Sequence, residues 1–235
     1  GSIGYGDTVG DTSYLFSLDV QQRRNPKVKS ANVFELNPGV DPEAVVDQND
    51  TRDGTDYSFN GEIAQKIGDG LLRLYGFYVF TDRQETEFTQ TFGADAFFNR
   101  EGLEQVENQT EDIQQQNLSI VGDYRLPVDK DEAQILFGYN LFRDDLDTNE
   151  DSTEIGETTE IQQEFIDTKD QDWFGTLAYT ANLSSLVSVK FGVDGRIKTR
   201  DFTESILVAE VGDPLEAIPG LGAFDLEERR VDPYI

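Results

Sequence analysis

The amino-acid sequence predicts an all-β protein, an antiparallel up-and-down meander of the kind that forms a transmembrane β-barrel. Three observations lead to this prediction. Apolar and polar residues alternate through several segments, short and long connections alternate between these segments, and the long connections carry the excess negative charge. Because side chains of a strand point alternately to opposite faces, a period of two residues predicts strands with one apolar and one polar face.

The composition excludes several classes of protein. The 235 residues carry a net charge of −28 and are 37% hydrophobic, values that alone would suit a disordered acidic chain. The 16 Phe, 9 Tyr and 1 Trp argue for a folded protein instead. Without Cys or His, the chain cannot use zinc fingers, thiol chemistry or histidine-based catalysis. It contains no run of about 18 apolar residues, which excludes a transmembrane helix.

Eight segments have the alternating pattern and are predicted to be strands. In one of them, Trp173 and Leu177 share a face and Thr176 lies on the other. The eight segments are 12–23, 27–36, 56–66, 71–81, 117–126, 132–143, 172–182 and 187–200, and a ninth strand is predicted to start at 229–235. Several of these segments are longer than the usual strand of about 5–6 residues in soluble proteins.

The connections predict how the strands pair. RRNP, IGDG, PVDKD and NLSS contain turn-forming residues and predict four hairpins, over about 12–36, 56–81, 117–143 and 172–200. The other connections, about 36–56, 82–115, 143–171 and 200–230, are predicted to be long loops. All tight turns would then lie at one end of the meander and all long loops at the other.

Negative charge is concentrated in the predicted loops. The segments 35–56, 82–112, 143–172 and 200–230 have net charges of −6, −7, −10 and −5, which together equal the net charge of the whole chain. Aromatic residues flank the same loops and are expected at a membrane interface. These residues are Tyr57, Phe59, Tyr78, Phe80, Tyr139, Phe142 and Trp173.

Two architectures fit these patterns. In a transmembrane barrel, strands alternate, tight turns lie on the periplasmic side, long loops lie outside, and aromatic girdles border the apolar band. A soluble secreted β-domain with acidic loops, such as a β-sandwich or jelly roll, also alternates, but rarely separates long loops and tight turns so completely. The sequence therefore favours the membrane barrel and leaves the soluble domain as the alternative.

Three stretches resemble the barrel of TonB-dependent outer-membrane receptors of Gram-negative bacteria. They are DYSFNGEIAQKIGDGLLRLYGFYVFTDRQETE, NLSIVGDYRLPVDKDEAQILFGYNLFRDD and FDLEERRVDPYI. In that family, hairpins with a polar strand, a tight turn and an aromatic strand alternate with acidic surface loops. The resemblance implies a 22-strand barrel with an N-terminal plug. We therefore expect residues 1–235 to form a single partial barrel domain, an internal piece of a larger receptor.

The resemblance also implies a function and partners. It implies uptake of a scarce nutrient, such as a metal chelate, a siderophore or a carbohydrate, across the outer membrane with energy from TonB. The expected partners are outer-membrane lipid and lipopolysaccharide, surface or periplasmic accessory proteins, and a plug and TonB that act through regions outside this chain. A non-transporting barrel with a structural or adhesive role remains an alternative.

Basic residues on the polar faces of the strands are the candidates for guiding substrate through the lumen. They are Arg73, Arg125, Lys190, Arg196 and Lys198. Mutual ion pairing with acidic neighbours, or contact with a plug, is the competing interpretation. Tyr75 and Phe77 are apolar residues on the same predicted face, which also suggests contact with a plug.

A calcium site is the only metal site that the spacing suggests. Asp145, Asp147, Asn149 and Asp151 alternate as in calcium loops, but Glu150 stands where the turn-forming glycine is needed, so a solvated acidic loop is the alternative. Catalytic carboxylates need two different environments, which long charged loops do not offer, so we expect no enzyme activity. The acidic field also repels nucleic acid.

Overall fold

The computed structural model describes residues 1–33, 44–94, 99–218 and 222–235. The described chain is all-β, and its strands form one antiparallel sheet. The strands are β1 (Ser2–Val9), β2 (Thr12–Arg24), β3 (Lys27–Val33), β4 (Ala44–Ile67), β5 (Gly70–Ala94), β6 (Arg100–Val128), β7 (Asp131–Glu154), β8 (Glu160–Asn182), β9 (Ser188–Glu210), β10 (Glu216–Ala217) and β11 (Ala223–Tyr234).

The sheet has the predicted up-and-down order but is open. Its strands follow the order β1, β2, β4, β5, β6, β7, β8, β9, and both β10 and β11 pair with β9. Among the described residues, β1 and β11 form opposite edges and do not pair with each other. The described residues therefore form an open antiparallel sheet that does not close into a barrel by itself.

The prediction of long loops is wrong, because most of their described residues lie in strands. Strands β4 to β9 each contain 23 to 29 residues. Within 82–115, β5 and β6 stay paired from Asp82 and Gln114 to Thr91 and Gln105. Thr, Gln and Glu on both faces hide the alternation, but backbone pairing does not require an apolar face. The predicted loop residues 36–43 lie outside the described residues.

Three of the four predicted hairpins are confirmed. The hairpins 56–81, 117–143 and 172–200 correspond to β4–β5, β6–β7 and β8–β9. The β4–β5 turn has Gly68 at a φ of 62°, the left-handed conformation that the first central residue of a tight hairpin turn adopts. These three turns lie at the same end of the sheet, as predicted, and the turn between β1 and β2, which was not predicted, also lies there.

The predicted hairpin over 12–36 is wrong. Strands β2 and β3 do not face each other but lie in line along β4, with β2 beside Asp53–Gln65 and β3 beside Ala44–Asp50. Pro26 has no N–H and interrupts the hydrogen bonding, while the Asn25 N–H still donates to the Arg52 carbonyl at 3.0 Å. The turn residues in RRNP therefore mark a break within one long strand. The strand that pairs with β2 at the sheet edge is β1, which was not predicted from the sequence.

Aromatic rings cover two glycines in the middle of the sheet. The ring of Phe137 lies over Gly122 in the neighbouring strand, and the ring of Phe174 lies over Gly138. A Cβ atom built on either glycine would overlap the ring. These contacts fix the direction in which each aromatic side chain leans across the sheet.

We predict that Gly122→Ala lowers the free energy of unfolding by about 1–3 kcal/mol, because the new methyl group forces the Phe137 ring out of its position. Gly76→Ala is the matched control, because its Cβ would meet only the Ser119 carbonyl at an ordinary 3.7 Å. Urea unfolding followed by the fluorescence of the single Trp measures both effects. Equal effects of the two substitutions would contradict the packing described here.

Candidate functional site

The register divides the side chains into two faces. We call the end of the sheet with the tight turns its lower half, and the opposite end its upper half. In the lower half, one face carries Tyr57, Phe59 and Ile63 and their cross-strand partners, and we call it the apolar face. The other carries Asn60 and Glu62 and their partners, and we call it the polar face.

The apolar face is exposed to a degree that is unusual for large hydrophobic side chains. Ile135 is 45% exposed, Leu177 56% and Trp173 57%. On the polar face, the carboxylates of Asp123 and Asp172 are buried. A sheet of a soluble protein commonly packs its apolar face on the core instead of exposing it. Large exposed apolar surfaces are typical of proteins that contact a membrane or another protein.

The upper border of this apolar band runs obliquely across the strands. One row of cross-strand partners starts at Val20 and continues through Tyr57 and Phe80. The next two residues in this row, Gln116 and Arg143, are polar. The band ends where the next residue up on that face is polar, and its last residue is Val20 in β2, Tyr57 in β4, Phe80 in β5, Leu118 in β6, Leu141 in β7, Trp173 in β8, Ile197 in β9 and Val231 in β11. The border thus descends by six residues from β2 to β11.

The tight turns descend in parallel with the border. The last pair of the β4–β5 hairpin, Ile67 with Gly70, lies ten residues below Tyr57. In the β6–β7 hairpin, Val128 lies ten residues below Leu118, and the last β8 residue lies nine residues below Trp173. The band therefore keeps an almost constant height along each strand.

These offsets define the inclination of the strands. At about 3.4 Å per residue and 4.8 Å per strand spacing, a descent of six residues over seven spacings corresponds to a tilt of about 30°. The band is about 31–34 Å long along the strands, so its height perpendicular to its own border is about 26–29 Å. Transmembrane barrels have strands tilted by about 35–45° and an apolar band about 25 Å tall.

Most of the predicted interface aromatics lie on the apolar face near its upper border. The rings of Tyr57 and Phe80 stack at 6.2 Å, and those of Tyr139 and Trp173 are 4.2 Å apart. Phe59 and Tyr78 are cross-strand partners in the next row of the same face, directly below Tyr57 and Phe80. Phe142 differs from the prediction: it follows Leu141 directly, so the register places it on the polar face, opposite Asn117 and Asp170.

The five basic candidates all lie on the polar face, and carboxylates stand beside most of them. Arg196 binds Asp172 through two hydrogen bonds of 2.7 and 2.6 Å. Asn140 also donates to Asp172, and Lys198 is its direct cross-strand partner. Without the Asp172 carboxylate, Arg196 would lose its ion partner and Asn140 would lose its acceptor.

A second group surrounds the buried Asp123. Arg125 donates to it at 2.9 Å, and Arg73 is its cross-strand partner. Gln134 also donates to Asp123 and accepts a hydrogen bond from Lys190 at 3.1 Å. Ion pairing within the sheet, the competing interpretation of the sequence, is thus present for two of the five cations, Arg125 and Arg196.

The apolar residues of the polar face border an open cleft. Tyr75 and Phe77 line a volume of about 470 Å³ together with Leu15, Asn60 and Glu62. Leu15 is 56% exposed and Phe77 42%. The cleft therefore offers both apolar and hydrogen-bonding side chains to a ligand or a protein segment that binds there.

The polar face of the upper half is rich in carboxylates. Glu85 pairs with Arg52 at 2.8 Å and with Arg83 at 2.9 Å, and it faces Glu111 across the strands. Burial raises the pKa of Glu111, and the charge of Glu85 raises it further. Burial also raises the pKa of Glu164, which shares a hydrogen bond with Glu204.

The calcium candidates do not converge on one point. Asp145, Asp147, Asn149 and Asp151 lie on one face of β7, where alternate residues are about 7 Å apart along the strand. Asp145 instead accepts a hydrogen bond from Arg143, which also binds Asp167. In the part of the chain that the structure describes, no three His, Cys, Asp or Glu residues are grouped so that they could hold a metal ion.

Comparisons with protein-family models, with curated proteins and with solved structures give no match for this chain. Among the residues that the structure describes, no helix has the length and apolarity needed to cross a membrane.

We predict that the upper half is more stable at mildly acidic than at neutral pH. Burial is the main reason why the folded-state pKa values of Glu111, Glu150 and Glu164 are raised above their ordinary 4.5. At pH values between 4.5 and the raised pKa of each group, the folded chain therefore binds more protons than the unfolded chain. The free energy of unfolding therefore falls as the pH rises through this window.

Changing these three residues to Gln should raise the urea midpoint at pH 7.5 and flatten its dependence on pH above 4.5. Glu157→Gln, in the exposed connection between β7 and β8, is the control. Carboxyls whose pKa is lowered by hydrogen bonds, such as Asp47 beside Ser30, lose their stabilising effect only below their ordinary 3.8, outside the measured range. A parent protein whose midpoint rises with pH would contradict the prediction.

Proposed function

We propose that this chain is part of an outer-membrane β-barrel that acts as a receptor and transporter, taking up a scarce nutrient with energy supplied by TonB. The observation that carries the proposal is the exposed apolar band, whose constant height and oblique border fit tilted strands in a bilayer. The transport activity and the role of TonB rest on the sequence resemblance.

The open edges support a larger barrel. A bilayer offers no hydrogen-bond partners to unpaired N–H and C=O groups, so sheets that span it are closed. The outer edge of β1 and that of β11 are unpaired among the described residues. In the proposed protein, further strands pair with these edges and complete the barrel.

The upper half of the sheet would project from the cell surface. Above the apolar border, β4, β7, β8 and β9 continue for about 13 residues, or about 44 Å along the strand. This part carries most of the acidic residues and would favour cationic or metal-bearing ligands, or divalent cations that bridge to lipopolysaccharide.

A non-transporting barrel with a structural role at the surface is the second candidate. It is favoured by the pairing of cations on the polar face, where Arg125 and Arg196 are held by Asp123 and Asp172. The two candidates differ in a measurable way: deletion of TonB should abolish uptake by the full-length protein if it is a transporter, and should change nothing if it is structural.

We predict that Leu177→Arg strongly disfavours insertion of the full-length protein into lipid vesicles, because Leu177 lies at mid-height of the apolar band. Arginine at the bilayer midplane of a barrel costs about 2–4 kcal/mol. Phe165→Arg is the matched control, because Phe165 is an exposed apolar residue on the same face of β8 but above the band.

Vesicle insertion after dilution from urea, followed by protease protection, compares the two variants. The proposal expects a reduced folded fraction for Leu177→Arg only. Monodisperse folding of the parent protein in buffer without detergent would overturn it in favour of a soluble β-domain.

A further inference from the structure

A cleft of about 480 Å³ lies on the polar face of β7, β8, β9 and β11. Small-molecule sites commonly have volumes of about 300–1,000 Å³. The charged residues of its wall are Asp172, Asp194, Arg196, Arg230 and Asp232. The cleft is separate from the apolar cleft beside Tyr75.

Two side chains leave the centre of this cleft open by leaning away from it. The ring of Phe174 lies over Gly138 in β7 and so leans away from β9. Arg196 reaches upward to Asp172, one row above it on β8. The backbone at Gly175 and Gly195, which face each other, lines the cleft between them.

The register places like charges directly opposite each other at this cleft. Arg196 of β9 faces Arg230 of β11, and Asp194 faces Asp232. Like charges in directly opposite positions destabilise a sheet. The ion pair of Arg230 runs along its own strand, to Asp232, and does not cross to β9. Asp194 accepts a hydrogen bond from Thr176 at 2.6 Å and forms no ion pair within the described residues.

We infer that this cleft binds a zwitterion of dipeptide size, with its ammonium group between Asp194 and Asp232 and its carboxylate between Arg196 and Arg230. Such a ligand places an opposite charge beside each like-charged pair, and its ammonium group would give Asp194 the ion partner that this residue lacks among the described residues. Neutral ligands offer neither contact, and a simple amine or acid offers only one.

The spacing of the two pairs selects the size of the zwitterion. They lie two residues apart along β9, about 7 Å. The ends of an extended dipeptide are separated by a similar distance, about 3.3–3.6 Å per residue. In a single α-amino acid, both charged groups are attached to one carbon and are too close together to reach both pairs equally well.

The inference deepens the proposed function, on which it rests for the passage of the ligand, by naming a substrate class for the wall of the lumen. Binding can nevertheless be measured in detergent without transport. A failed binding test therefore leaves the outer-membrane proposal standing, and failed insertion into vesicles leaves the binding test unaffected.

Titration calorimetry of the full-length, detergent-solubilised protein with alanyl-alanine tests the ligand class. N-acetyl-alanyl-alanine lacks the ammonium group and alanyl-alanine amide lacks the carboxylate, so each should bind at least tenfold more weakly than alanyl-alanine. Absence of alanyl-alanine binding would overturn the inference, as would equal binding of the amide, which would indicate a site for amines.

Variants at the cleft test the location. Asp194→Asn and Arg230→Gln should each weaken alanyl-alanine binding about tenfold or more, because each removes one charge-assisted contact. Arg200→Gln is the matched control, since Arg200 lies on the same face of β9 but binds Asp170 above the cleft. Its affinity for alanyl-alanine should equal that of the parent.

A charge exchange on β11 separates ligand binding from a purely structural role. Arg230→Asp combined with Asp232→Arg keeps the ion pair within β11 but places opposite charges across from Arg196 and Asp194. This variant should melt at a higher temperature than the parent and should lose alanyl-alanine binding. If it binds alanyl-alanine as tightly as the parent does, the inference is wrong.

Discussion

The structure depends on the register of the long antiparallel strands from β4 to β9. Each pairing in the lower half runs without a bulge. Every second residue of a strand therefore stays on the same face from the tight turn to the upper half. A slip of one residue would move every side chain of a strand to the other face. The same register offsets neighbouring hairpins, so the apolar band and the tight turns descend together across the sheet.

The sequence was informative where one face of a strand is apolar and the other polar. Alternation, as around Trp173, and turn residues, such as Gly68, correctly predicted the strands and turns of three hairpins. Above the apolar band, polar residues on both faces leave no period of two to detect, so long paired strands looked like loops. Only cross-strand pairing, which a single sequence does not display, reveals them.

The candidate site was predictable to a similar extent. The alternation placed Arg73, Arg125 and Arg196 on one face, and that face is the polar face of the structure. The identity of their partners was not predictable, because Asp172 reaches Arg196 from another strand. The like-charged pairs of β9 and β11 were missed for the same reason: Arg230 is 34 residues from Arg196 in the sequence, and only the register brings them together.

The proposed contact of the apolar face with lipid can be tested most directly with the single Trp of the chain. Trp173 is exposed on the apolar face at the upper border of the band. In vesicles with brominated lipids, we expect bromines attached close to the headgroup to quench its fluorescence most strongly and bromines near the bilayer centre to quench it less. Unquenched fluorescence with both lipids, in protein that is folded and bound to the vesicles, would contradict contact between the apolar face and lipid.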